Sequence, residues 1–162
     1  MSSAPKPNPA AYPMMRSHAL KLRLPNVADG DLHVVTMDWR VLDGEATITA
    51  LAAADGTGSI YLSSGGGFIG GAKRFPRIRE AALLAIHVAT GLLSRFEFTE
   101  KTEIPPVGEI YFYVTTNAGI RLAIAKETDL NDGTDPLLAL HVTMRQIVTF
   151  YRFASPVPQE RR

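Results

Sequence analysis

Apolar and polar residues alternate from Leu32 onward: Val35, Met37, Trp39 and Val41 fall on one face, and Val34, Thr36, Asp38 and Arg40 on the other. A period of two is the signature of a β-strand. Asp43-Gly44 then supplies the positive φ that a tight hairpin needs. A second strand over about 46–54 is rich in small and β-branched residues, and Asp55-Gly56-Thr57-Gly58 marks the next turn. Ser59 to Ser63 reads as a third strand, with Ile60 and Leu62 on one face and Tyr61 on the other. Turn chemistry between alternating segments predicts a three-stranded antiparallel meander.

The period changes after the glycine-rich run Ser64-Gly65-Gly66-Gly67-Phe68-Ile69-Gly70-Gly71. Ile78, Ala82, Ala85, Ala89, Leu92 and Phe96 recur at helical spacing, which predicts a helix over about 76–95 with Pro76 in its first turn. Leu83, Leu84, Ile86 and Val88 widen the stripe, leaving a narrow polar strip of Arg77, Glu80, His87, Thr90 and Ser94. A helix this apolar is buried on most sides. It covers the sheet and something else, either the second helix or another chain. A loop over 98–107 ends at Pro105-Pro106, and Glu109 to Thr115 is a strand with Ile110, Phe112 and Val114 facing the core. Asn117-Ala118-Gly119 turns the chain into a returning strand of Ile120, Leu122 and Ile124. Residues 129–134 read as a polar loop. Asp135 then caps a second helix whose face is Leu137, Leu140, Met144, Ile147, Val148 and Tyr151.

Residues 1–17 hold Pro5, Pro7, Pro9 and Pro13 and read as an extended N-terminal tail. Leu20, Leu22 and Leu24 suggest a short edge strand before Pro25, and the polar segment 154–162 reads as a C-terminal tail. Residues 18–153 are expected to form a single α+β domain: an antiparallel sheet of about five strands, in the order β-β-β-α-β-β-α, with two helices packed on it. That order is similar to the roadblock and profilin-like class of small domains. The resemblance implies a fold and no activity.

The segment from Ser59 to Gly71, the strand Gly108 to Val114 and the helix start Asp135-Pro136-Leu137 resemble those of uncharacterised bacterial proteins of about this size. The likeness runs over about 32–153. It implies a bacterial source and a single domain, and it transfers no catalytic residue.

Composition narrows the chemistry. The 162 residues contain no cysteine, which excludes disulfides, thiolate metal sites and a cysteine nucleophile, and leans toward a reducing compartment. A net charge of +1 gives no overall field to draw in nucleic acid or an anionic membrane. There is no run of ~20 apolar residues and no apolar leader, so a cytoplasmic location is the expectation.

Gly65-x-Gly67-x-x-Gly70 spells the dinucleotide fingerprint, but tight turns before it remove the parallel βαβ unit that such a site needs. A P-loop fails because Ala72 precedes Lys73, and Arg74 stands where a magnesium-binding hydroxyl belongs. A generic anion site is the better functional reading. It would use backbone N–H groups of Gly65, Gly66, Gly67, Gly70 and Gly71 with Lys73 and Arg74. The structural alternative is that these glycines allow a close backbone crossing or a bulged edge. His18, His33, His87 and His141 have no metal-ligand spacing, although His87 and His141 could meet if the two helices are neighbours. Ser63 and Ser64 lack an oriented base. Glu97, Glu100 and Glu103 read as a solvated loop. Tyr111 and Tyr113, which alternate with an inward Phe112, lack interleaved basic residues for base stacking.

The sequence points first to a non-enzymatic interaction or scaffold protein, a homodimer through the apolar helix 76–95, with no cofactor and no metal. The second expectation is a module holding a phosphate or carboxylate at residues 65–74. The third is an enzyme of unidentified class whose site forms only in three dimensions.

Overall fold

The computed structural model describes residues 8–69 and 75–154. Seven strands form one antiparallel sheet: β1 (Val34–Val41), β2 (Ala46–Ala53), β3 (Gly58–Leu62), β4 (Gly67–Phe68), β5 (Glu97–Phe98), β6 (Glu109–Thr116) and β7 (Gly119–Lys126). Their order across the sheet is β4-β3-β2-β1-β6-β7-β5. The class is α+β, with α1 (Tyr12–Lys21), α2 (Pro76–Gly91), α3 (Glu127–Asn131) and α4 (Leu138–Ala154) around the sheet. The five long strands are those that alternation predicts. The count rises to seven because two-residue strands flank them: β4 pairs through Tyr61↔Gly67 and β5 through Phe98↔Arg121. Two residues are too few for a period of two to register.

One face of the sheet builds the main core. Val35, Met37 and Trp39 of β1 stand beside Ile110, Phe112 and Val114 of β6, in the register Met37↔Phe112. Ile78, Ala82, Ala85 and Ala89 of α2 and Leu140, Met144, Ile147 and Tyr151 of α4 close over them. Small side chains let α2 lie close to the sheet, and a Cβ on Gly58 would sit 2.7 Å from Ile78 Cγ2. α2 packs along α4, so the second helix takes up much of the apolar surface that one sheet face would leave over. The helix ends at Gly91, short of the expected 95, and a 3₁₀ turn over Leu93–Arg95 follows. The Asp135 cap is present: its Oδ1 accepts the Leu137 N–H at 2.8 Å.

Two segments differ from their sequence reading. Tyr12–Lys21 is a helix, not the end of a proline-rich tail and the start of an edge strand. Pro13 sits in its first turn, where a missing N–H leaves nothing unpaired. Its buried face is Tyr12, Arg16, Ala19 and Leu20, and α1 packs on Val34, Leu51, Ala53 and Tyr61 of the second sheet face. A buried arginine interrupts the apolar stripe, so hydrophobic periodicity could not reveal this helix. Residues 127–131 form α3 rather than opening a loop. Among the described residues, no helix is long and apolar enough to cross a membrane.

Candidate functional site

The glycine-rich run is a turn at the sheet's edge where it is described. Gly65 (φ 105°), Gly66 (87°) and Gly67 (153°) all occupy the region that favours glycine. Gly65 donates its N–H to Leu62 O at 2.9 Å, and Gly66 O accepts the Leu62 N–H at 3.1 Å. A Cβ on Gly67 would run into the Ile60 carbonyl of β3. A positive φ in the turn therefore accounts for Gly65, and close backbone approach for Gly67. Gly70, Gly71, Lys73 and Arg74 lie outside the described residues. Both neighbours of β3 are antiparallel to it, so the parallel pair required for a dinucleotide crevice is absent around Gly65. Gly67→Ala is expected to free β4 from β3 and unstack Phe68 from Tyr151, whose ring centroids are 5.0 Å apart. Strain of ~1–3 kcal/mol at one edge residue should leave the fold intact. Hydrogen exchange should show the Leu62 amide losing protection while the melting transition stays cooperative.

A buried polar cluster lies on the second face. Arg16 donates from Nε (3.1 Å) and Nη2 (2.7 Å) to Asp38 Oδ2. It also donates to the backbone oxygens of Thr102 (2.7 Å) and Glu103 (3.1 Å). Thr49 donates to Asp38 Oδ1 at 2.5 Å and lies 2.6 Å from the Tyr12 hydroxyl. The Tyr113 hydroxyl donates to Glu103 O, and its ring lies 5.6 Å from the Arg16 guanidinium carbon. Asp38 is completely buried. Burial pushes its carboxyl above the ordinary range, and Arg16 pulls it back. Burial also pushes the Tyr12 and Tyr113 phenols up to about 12, so both remain protonated donors. The carboxylate is satisfied from both sides and enclosed. Its task is to pin α1 and the 99–107 segment to the sheet.

No protein-family model matches the chain, and comparisons with curated proteins and with solved structures give no match.

The remaining candidates from the sequence do not converge. His18 and His87 are exposed on α1 and α2, and His33 is buried at the start of β1. His33 Nδ1 accepts the Leu24 N–H at 2.9 Å, which fixes the proton on Nε2, 2.5 Å from Asn117 Oδ1. Among the described residues, no three His, Asp or Glu side chains group as metal ligands. Ser63 Oγ accepts the Thr47 N–H at 2.7 Å, a strand-end contact. Glu97, Glu100 and Glu103 are exposed. Tyr111 and Tyr113 meet edge to face with centroids 6.3 Å apart, and Tyr113 is buried.

The structure adds a site that sequence reasoning missed. Where β1 ends, α3 and the first half of α4 enclose a cleft of about 270 Å³. Trp39, Ile110 and Leu130 form its apolar floor. His141 stands in its wall, 8% exposed, and its Nδ1 is buried with no hydrogen-bond partner among the described residues. Burial, reinforced by the nearby Arg145 charge, lowers the His141 pKa to about 4. Arg40, Glu127, Asn131 and Arg145 complete the rim. The only trace in the sequence is the i, i+4 pair His141 and Arg145 beside the apolar stripe of α4. A larger cavity of about 430 Å³ lies under residues 24–32 against α2. Of its polar groups, Asp55 is already committed to its own turn through the Thr57 N–H at 2.9 Å.

Proposed function

We propose that the chain is a non-enzymatic interaction protein that works as a homodimer through α2. The observation that carries this reading is Leu84. It lies at the middle of α2 and is 47% exposed, with Leu83 and Val88 only half-buried beside it. A leucine at the centre of an outer helix face is an anchor without a partner inside its own chain. One helix is too narrow for the ~800 Å² per subunit of a standard interface. α4, packed along α2, adds Val142 at 48% exposure. No nucleophile with an oriented base occurs among the described residues that line the cavities.

Light scattering should give about twice the 17.6 kDa chain mass. Leu84→Glu should return the protein to a single-chain species with its circular dichroism unchanged. By two-fold symmetry the substitution removes two buried leucines, roughly 3 kcal/mol or more, which is over ~100-fold in Kd. A wild-type protein that already runs as a single chain at high concentration would end the proposal.

A further inference from the structure

We infer that the cleft beside His141 binds a small zwitterion, a molecule with a carboxylate and an ammonium group on one short skeleton, as free amino acids have. The inference stands on different residues from the proposed dimer and does not depend on it.

The polar groups at the cleft are unspent. Arg40, Glu127, Asn131 and Arg145 make no side-chain hydrogen bond or ion pair among the described residues, where Arg16–Asp38 is the ion pair present. Two guanidinium forks suit a carboxylate, which they can grip bidentately. A bare anion would leave Glu127 as an unbalanced like charge, and a bare cation would meet two arginines. A ligand with both signs satisfies every rim group: its carboxylate on Arg40 or Arg145, and its ammonium on the Glu127 carboxylate and the Asn131 amide oxygen. A metal ion is a poor fit, because His141 and Glu127 supply only two ordinary ligands at the cleft.

His141 favours an occupied site. Its Nδ1 is buried with no hydrogen-bond partner among the described residues, and the ring lines the cleft. An imidazole that lines the same partly enclosed space as two guanidiniums offers an incoming carboxylate one more polar contact. A buried polar side chain that its own chain leaves half-satisfied is costly to keep without such a role. Trp39, Ile110 and Leu130 give the ligand's carbon skeleton an apolar floor. At about 270 Å³ the cleft sits at the small end of ligand pockets. That is room for a single amino acid and not for a nucleotide.

The test is a ¹H–¹⁵N titration of the full chain with each of the standard free amino acids. At least one should shift the Trp39 indole N–H and the amides of 127–131 and 141–145 saturably, with Kd below ~1 mM. Its C-terminal amide and its N-acetyl form should each bind at least ~10-fold more weakly, as should Arg145→Ala and Glu127→Gln proteins. Arg145 is exposed and Glu127 half-exposed, so both variants should fold, and their unperturbed spectra elsewhere verify it. The proposal is overturned if no amino acid gives saturable shifts. It is overturned equally if the amide or N-acetyl form binds as well as the parent, or if binding survives both substitutions.

Discussion

Asp38→Ala should lower the unfolding free energy by about 3–5 kcal/mol, the cost of leaving a buried charge without its partner. Arg16 cannot shed its proton to escape, because a guanidinium stays charged in proteins. With Asp38 gone, its Nε and Nη2 keep only the Glu103 carbonyl, and Thr49 loses the acceptor at 2.5 Å. α1 is held to the sheet by a small apolar patch and this cluster, so it should detach before the sheet unfolds. Exchange protection along 12–21 and the Tyr12 environment should be lost first. The melting temperature should fall by roughly 10 °C, given ~2–4 °C per kcal/mol for a chain of this size. Arg16→Met combined with Asp38→Val should recover most of the loss, since a packed apolar pair often replaces a buried ion pair at little cost. Equal stability of Asp38→Ala and wild type in urea would mean that the pair is not buried as described.

Acidification gives the second large effect. His141 carries a folded-state pKa of about 4 against an ordinary 6.5, from burial first and Arg145 second. Arg40, Glu127 and Asn131 also line this part of the cleft. The folded state therefore binds fewer protons than the unfolded chain between these two values. The stability linked to the neutral ring is complete above pH 6.5 and is lost as the pH falls toward 4. Solvent screening at a ring beside an open cleft discounts the full value of such a shift to roughly 1–2 kcal/mol. His141→Leu should flatten that part of the profile. Subtracting the variant's urea stability from that of wild type, pH by pH, isolates the histidine from Asp38 and the other carboxyls. A difference that does not change between pH 7 and pH 4 would show that His141 takes up its proton freely in the folded state.

Most of the long strands were legible because they obey a period of two, with Asp43-Gly44, Asp55-Gly56 and Asn117-Ala118-Gly119 marking the turns between them. Val35-x-Met37-x-Trp39 alone fixes which face of β1 meets the helices. What alternation hides is a second buried face. Thr36, Asp38 and Thr49 look solvent-facing in sequence, yet all three are buried on the α1 side. Their burial depends on α1, whose own contact stripe contains a charged residue. The pair Arg16 and Asp38 is 22 residues apart and becomes readable only when both are seen to be inside. The cleft was hidden for a related reason. Trp39, Glu127 and His141 come from three separate elements, and each is ordinary in its local context. The glycine run was visible from the start because glycine is locally unusual. In the described part of it, that visibility reflects backbone geometry.

The brevity of β4 and β5 limits how copies of this chain can associate. The two outermost ladders of the sheet are only two residues long, and the Arg121 guanidinium lies 4.2 Å from the Phe98 ring at one of them. A lateral neighbour meets an outermost strand of only two residues on either side, and very short edge strands are one way natural β proteins blunt exposed margins. Short outer ladders of this kind disfavour strand-by-strand addition, so a concentrated solution of this protein should be slow to grow fibrils.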